Sequence, residues 1–110
     1  MTFHQVHSES AADYHEYLSG IWVAKEYSNG GMTRLGGGFV KWTEEQTMHS
    51  AHKHDEVIVV LEGAQHTETQ DGAFIAYPGD VIVVRGGTNA VHYSEPGTKT
   101  SYVLALDSEI

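Results

Sequence analysis

The chain has 110 residues, a length that serves one domain and needs either one compact core or a partner subunit. Fifteen Asp and Glu against six Lys and Arg give a formal net charge of -9 with no basic stripe, which argues against nucleic acid as a partner. Cysteine is absent, so disulfides, thiolate metal sites and Cys nucleophiles are excluded.

Met1 to Ser10 carry no apolar run, so no signal peptide is expected. The longest uninterrupted apolar stretch, Val57 to Leu61, is far shorter than a bilayer span. A soluble cytoplasmic protein without membrane contact is the expectation. Ser10 to Leu18 is predicted as a two-turn helix, with Ser10 as N-cap and Gly20 as its stop. Residues 1–20 thus read as an N-terminal arm and residues 21–110 as the main domain.

From there the chain reads as about eight short strands broken by turn signals at roughly ten-residue intervals. Ile21 to Tyr27 alternates, with Ile21, Val23 and Lys25 on one face. Ser28-Asn29-Gly30-Gly31 turns the chain, and Gly38 to Glu44 reads as the next strand. Glu56 to Leu61 is a β-branched run closed by Glu62-Gly63. Ala64 to Thr69 follows as a hairpin partner, and Asp71-Gly72 is a tight-turn signal. Phe74 to Tyr77 leads through Pro78-Gly79-Asp80 into Val81 to Val84. Val91 to Ser94 and Ser101 to Leu106 complete the set. No long helix separates these runs, so parallel βαβ folds are excluded. An all-β jelly roll with a short N-terminal helix or arm is the predicted architecture.

Two stretches carry a family resemblance. His52-Lys53-His54-Asp55-Glu56 through Val60-Leu61-Glu62-Gly63 is similar to the end of the first cupin motif. Tyr77-Pro78-Gly79-Asp80-Val81 through Arg85-Gly86-Gly87 is similar to the start of the second. Gly36-Gly37-Gly38-Phe39-Val40-Lys41-Trp42 resembles the ethanolamine-utilisation branch of that family. The resemblance implies a cupin double-stranded β-helix from about Gly36 to Leu106. It also implies a metal site built from barrel histidines. Counted from Glu56, the usual first and second histidine positions fall on Ser50 and His52. The usual position in the second motif falls on Ala90, with His92 two residues later.

Strand alternation puts His52, His54 and Glu56 on one face, and His92 on the face of Ala90. His52, His54, Glu56 and His92 are therefore the expected ligands of one divalent transition metal ion, Zn, Fe, Mn or Ni. His49 is a further candidate. Glu56 is equally a general base in a metal-free pocket, and Tyr77 a proton donor beside it. Trp42 is a candidate pocket wall, and Gln65 a candidate inward residue. Tyr93 is expected to point away from His92. Arg34 and Arg85 are candidate anion partners. His4, His7, His15 and His66 read as surface residues.

Three functions remain in play. The first is a metal-dependent lyase, isomerase or dioxygenase acting on a small polar, anionic metabolite. The second, implied by the resemblance, is an accessory or acetate-kinase-like protein of the ethanolamine-utilisation type, with or without a metal. The third is a non-catalytic binding module. Gly36-Gly37-Gly38 lacks the Lys-Ser/Thr that would make it a phosphate-binding loop. A homodimer is expected, since pairing would cover the edges of a small sandwich.

Overall fold

The computed structural model describes residues 5–106. His4 lies outside them. Ten antiparallel strands follow one another in this range: β1 (His15–Leu18), β2 (Ile21–Ala24), β3 (Leu35–Trp42), β4 (Gln46–Ala51), β5 (Asp55–Glu62), β6 (Gln65–Thr69), β7 (Gly72–Ala76), β8 (Val81–Val84), β9 (Asn89–Ser94) and β10 (Lys99–Ala105). They form a six-stranded sheet in the order β1-β2-β3-β10-β5-β8 and a four-stranded sheet in the order β4-β9-β6-β7. The all-β expectation is met. No helix among the described residues is long and apolar enough to cross a membrane.

The N-terminal helix is corrected. A single 3-10 turn spans Glu9–Ala11, and the second half of the predicted helix is β1, the edge strand paired with β2. An isolated two-turn helix forms few hydrogen bonds for the dihedrals it fixes. Pairing with β2 satisfies the same backbone, and Gly20, at φ +79, makes the turn. β4 was not foreseen as a strand. Its inward positions, Gln46, Met48 and Ser50, hold one apolar residue, so its sequence has no period-two hydrophobic signal. It is recruited by an unbroken register with β9, from Gln46 opposite Ser94 to Ala51 opposite Asn89. The hairpin expected after Gly63 is also redrawn. β6 leaves the sheet of β5 and pairs with β7 and β9.

The two inner faces differ in chemistry. The six-stranded sheet supplies the apolar clusters Ile58, Val60, Ile82 and Val84 (with Ala76 from β7) and Ile21, Val40 and Trp42; Tyr102 packs against both. The four-stranded sheet presents Gln65, Thr67, His92 and Ser94, all buried. The outer face near β8 is apolar as well. Val57 lies opposite Val83 and Val59 opposite Val81, and Val81 and Val83 are 55% and 73% exposed.

The glycine run is explained by packing. A Cβ at Gly38 would collide with the Ala24 carbonyl oxygen, and one at Gly37 with that of Tyr102. β3 thus lies against backbone on both sides, and this closeness lets β2 and β10 enclose the interior. Gly38→Ala is expected to lower stability by about 1–3 kcal/mol in urea unfolding, by forcing β2 away from β3. An unchanged midpoint would contradict that close approach.

Candidate functional site in the barrel interior

His52 sits in the short link before β5, held at both ends of its backbone. Its N–H donates to the Thr88 carbonyl at 2.9 Å, and its carbonyl accepts from Gly87 N–H at 2.7 Å. The glycine turn of the second motif therefore positions the histidine of the first. Glu56 lies at the start of β5 and His92 in the middle of β9, where it is 1% exposed.

These three side chains form one line. His52 Nδ1 lies 3.0 Å from Glu56 Oε1, and His52 Nε2 lies 2.9 Å from His92 Nε2. On the far side of His92, Nδ1 meets Gln65 Nε2 and Thr67 Oγ1, each at 3.0 Å. The Glu56 carboxylate can only accept, so His52 carries its proton on Nδ1 and leaves Nε2 as a lone pair. With the Gln65 amide nitrogen donating to His92 Nδ1, the His92 proton sits on Nε2 and points at His52. With the amide turned over, Nδ1 donates to Gln65 instead, and both Nε2 lone pairs face one another. That second state repels itself unless something positive lies between the rings.

Burial and the neighbouring His52 push the His92 pKa down to about 4, so this ring is neutral at physiological pH. Burial, with the Glu56 charge as a smaller cause, pushes the Tyr102 hydroxyl up to about 12 and keeps it protonated. Both groups line a cavity of about 240 Å³ together with His52, Glu56, Gln65, Ser50, Met48 and Trp42.

The predicted ligands are thus only partly brought together. His52, Glu56 and His92 line one cavity; His54 does not. The strand begins at Asp55, so alternation does not extend back to residue 54, which lies in a bend. Among the described residues, no group of three or more His, Asp or Glu is arranged to hold an ion. Glu56 stands behind the His52 ring, on the opposite nitrogen from His92. Tyr77 lies on the Pro78-Gly79-Asp80 turn, 56% exposed, where its backbone N–H donates to Asp80 Oδ2. It is outside the cavity.

The remaining candidates fall as follows. His49 is exposed, while Ser50 lines the cavity and pairs with the buried Ala90. Gln65 and Trp42 face the interior, and Tyr93 turns away from it against His66. His15 is exposed, whereas His7 and His66 are half-buried against Tyr27 and Tyr93. Arg34 and Arg85 are exposed and line no part of this cavity. Tyr102, Thr67, Met48, Tyr17 and Lys25 were not named as site residues. Lys25 was legible, since alternation had set it on the face of Ile21 and Val23.

Two imidazole nitrogens sharing one ion with bonds of about 2.0–2.1 Å would stand roughly 2.9–3.4 Å apart. The observed Nε2 separation lies in that range, and each other ring nitrogen has a hydrogen-bonding partner behind it. The ring centroids, 5.2 Å apart, set the two Nε2 atoms end-on, so a turn of one ring would bring both lone pairs onto one ion. The donor set therefore fits a two-histidine centre with Glu56, Gln65 and Thr67 behind it.

No protein-family model matches the sequence, and no curated protein matches it. Solved structures do. The chain is similar to a polyketide cyclase, RemF, from Streptomyces resistomycificus, with TM-score 0.79, 16% identity, and coverage of 96% of this chain and 80% of that one. It is similar to an ethanolamine utilization protein Q from Salmonella typhimurium LT2, with TM-score 0.78, 19% identity, and coverage of 89% and 82%. An RmlC-like cupin from Shewanella frigidimarina matches with TM-score 0.74, 13% identity, and coverage of 93% and 90%. The fold is that of the cupins. As in the sequence motifs, the cupin likeness includes an ethanolamine-utilisation protein.

A histidine whose folded pKa lies below its unfolded value binds fewer protons when folded. Its stabilising contribution is full above the ordinary value of 6.5 and is lost as pH falls toward about 4. In chelator-treated protein, His92 alone is expected to remove about 2 kcal/mol between about pH 7 and about pH 5. Urea unfolding of wild type beside His92→Gln would show that difference. Parallel pH profiles would contradict a neutral buried His92.

Proposed function

We propose that the protein is a small-molecule cupin enzyme whose reacting centre is the His52–His92 pair. The observation that carries this reading is the facing pair of Nε2 atoms, 2.9 Å apart in a cavity, with both Nδ1 atoms engaged from behind. His52 and His92 would hold one divalent transition metal ion, which when bound supplies a Lewis acid with open positions for substrate. Glu56 fixes the tautomer of His52 and strengthens its Nε2 as a donor. Thr67, and Gln65 with its amide turned over, do the same for His92. The Tyr102 hydroxyl, protonated at working pH, donates a hydrogen bond or a proton to a bound polar group. Val40, Trp42 and Ile58 give the cavity apolar walls that exclude water. A cavity of about 240 Å³ suits a small polar metabolite, and these proton-handling groups suit a lyase or isomerase.

A second reading has its own support. Without an ion, Gln65, His92, His52 and Glu56 form a continuous directional hydrogen-bond chain, and among the described residues no third His, Asp or Glu joins the two Nε2 atoms. Glu56 and His52 would then act as a metal-free general base. Metal content separates the two. Protein loaded with Zn, Fe, Mn or Ni and desalted is expected to retain about one ion per chain, and His92→Ala to lose it while staying folded by circular dichroism. Glu56→Gln is expected to weaken metal affinity about 10–100-fold, and His54→Ala to leave it unchanged. Loss of the ion in His54→Ala, or retention in His92→Ala, would overturn the metal-centre assignment.

A further inference from the structure

The mouth of the cavity is built by the β1–β2 hairpin. Tyr17, Val23 and Lys25 line the cavity and also an adjoining surface hollow of about 320 Å³, so the two spaces meet at these three residues. The register of β1 against β2 skips from Glu16 opposite Trp22 to Leu18 opposite Ile21, leaving Tyr17 as the extra residue of a bulge. A bulge re-aims a side chain that regular pleating would send elsewhere. Tyr17 is 62% exposed and still forms part of the cavity wall.

Lys25 follows the end of β2 and is exposed, with its side chain on the cavity wall. A Cβ at Gly38 would meet Ala24 and Glu26 backbone, so Gly38 lies beside Lys25 in β3. Gly38 in turn pairs with Tyr102. No β3 side chain therefore stands between Lys25 and Tyr102. Lys25 makes no ion pair with any described residue. Other lysines are differently engaged: Lys99 bridges Glu9 at 3.0 Å, and Lys41 lies over the Tyr14 ring at 4.3 Å. Lys25 is the only cationic Lys or Arg among the described residues of the cavity wall, and Glu56 is its one carboxylate. Asp13 and Glu16 line only the outer hollow.

We infer that Tyr17 and Lys25 form an anchoring subsite for the carboxylate of a small monocarboxylate, whose other end reaches toward His52 and His92. This rests on the reading of the cavity as a small-molecule site, and it names the substrate class. The charge distribution sets the orientation. A carboxylate is attracted to Lys25 at the mouth and repelled by Glu56 within, while a neutral polar end can face the imidazoles. Tyr17 adds a hydroxyl donor at the same opening.

The test uses propionate and its uncharged isostere propionamide, titrated into chelator-treated, isotope-labelled protein and followed by amide chemical shifts. Without metal, carboxylate coordination cannot mimic the effect, so the outcome is independent of the metal-centre reading. Propionate is expected to shift the Val23, Thr100 and Tyr102 signals, and Lys25→Gln to weaken it about fivefold. Tyr17→Phe weakens it less, Lys25→Arg restores it, and added salt weakens propionate alone. Propionamide binding stays the same in wild type and Lys25→Gln. Equal binding of propionate and propionamide, no binding of propionate, or an unchanged affinity in Lys25→Gln would overturn the inference.

Discussion

Burying an imidazole is unfavourable unless both its nitrogens find partners, and the interior of this barrel is arranged around meeting that condition for His92. Gln65 and Thr67 reach Nδ1 from the neighbouring strand, and His52 reaches Nε2 from the link before β5. His52 is held in turn by Glu56 and by two backbone hydrogen bonds to the loop that carries Gly87 and Thr88. Loops and strands distant in sequence are thereby tied to one buried ring. The apolar six-stranded face and the polar four-stranded face follow the same logic. One supplies the hydrophobic driving force, and the other sets Gln65 and Thr67 close enough to satisfy His92.

That arrangement also leaves room for chemistry. Trp42 Nε1 and Ser94 Oγ, both buried, have no hydrogen-bond partner among the described residues, so these do not fully saturate the interior. The His52 and His92 Nε2 atoms meet at a cavity open on the β1–β2 side. Rings fixed by hydrogen bonds from behind are preorganised, so that holding an ion between them would ask for little more than a turn of one ring.

Much of the fold was legible because glycine, proline and β-branched residues punctuate it openly. Asp71-Gly72 and Pro78-Gly79-Asp80 mark real turns, and Val57 to Leu61 and Val81 to Val84 mark real strands. β4 escaped because a strand facing a polar interior has no alternating hydrophobicity to detect. β1 escaped because its four exposed side chains carry no pattern for either state. Within the site, His52, Glu56 and His92 could be named from motif and alternation. His54 could not be placed, since alternation fails in a bend. Tyr77 shares the second motif with real landmarks but points to solvent. Tyr17 depends on a bulge, which no local sequence signal announces.

The central claim is that the His52 and His92 Nε2 atoms face one shared point. Long-range nitrogen–proton NMR correlations of the imidazoles, recorded before and after one equivalent of Zn²⁺, address it most directly. The account predicts His52 protonated on Nδ1 throughout, with the Nε2 signals of both His52 and His92 moving together on addition of Zn²⁺. Movement confined to the surface histidines, with His52 and His92 unchanged, would contradict it.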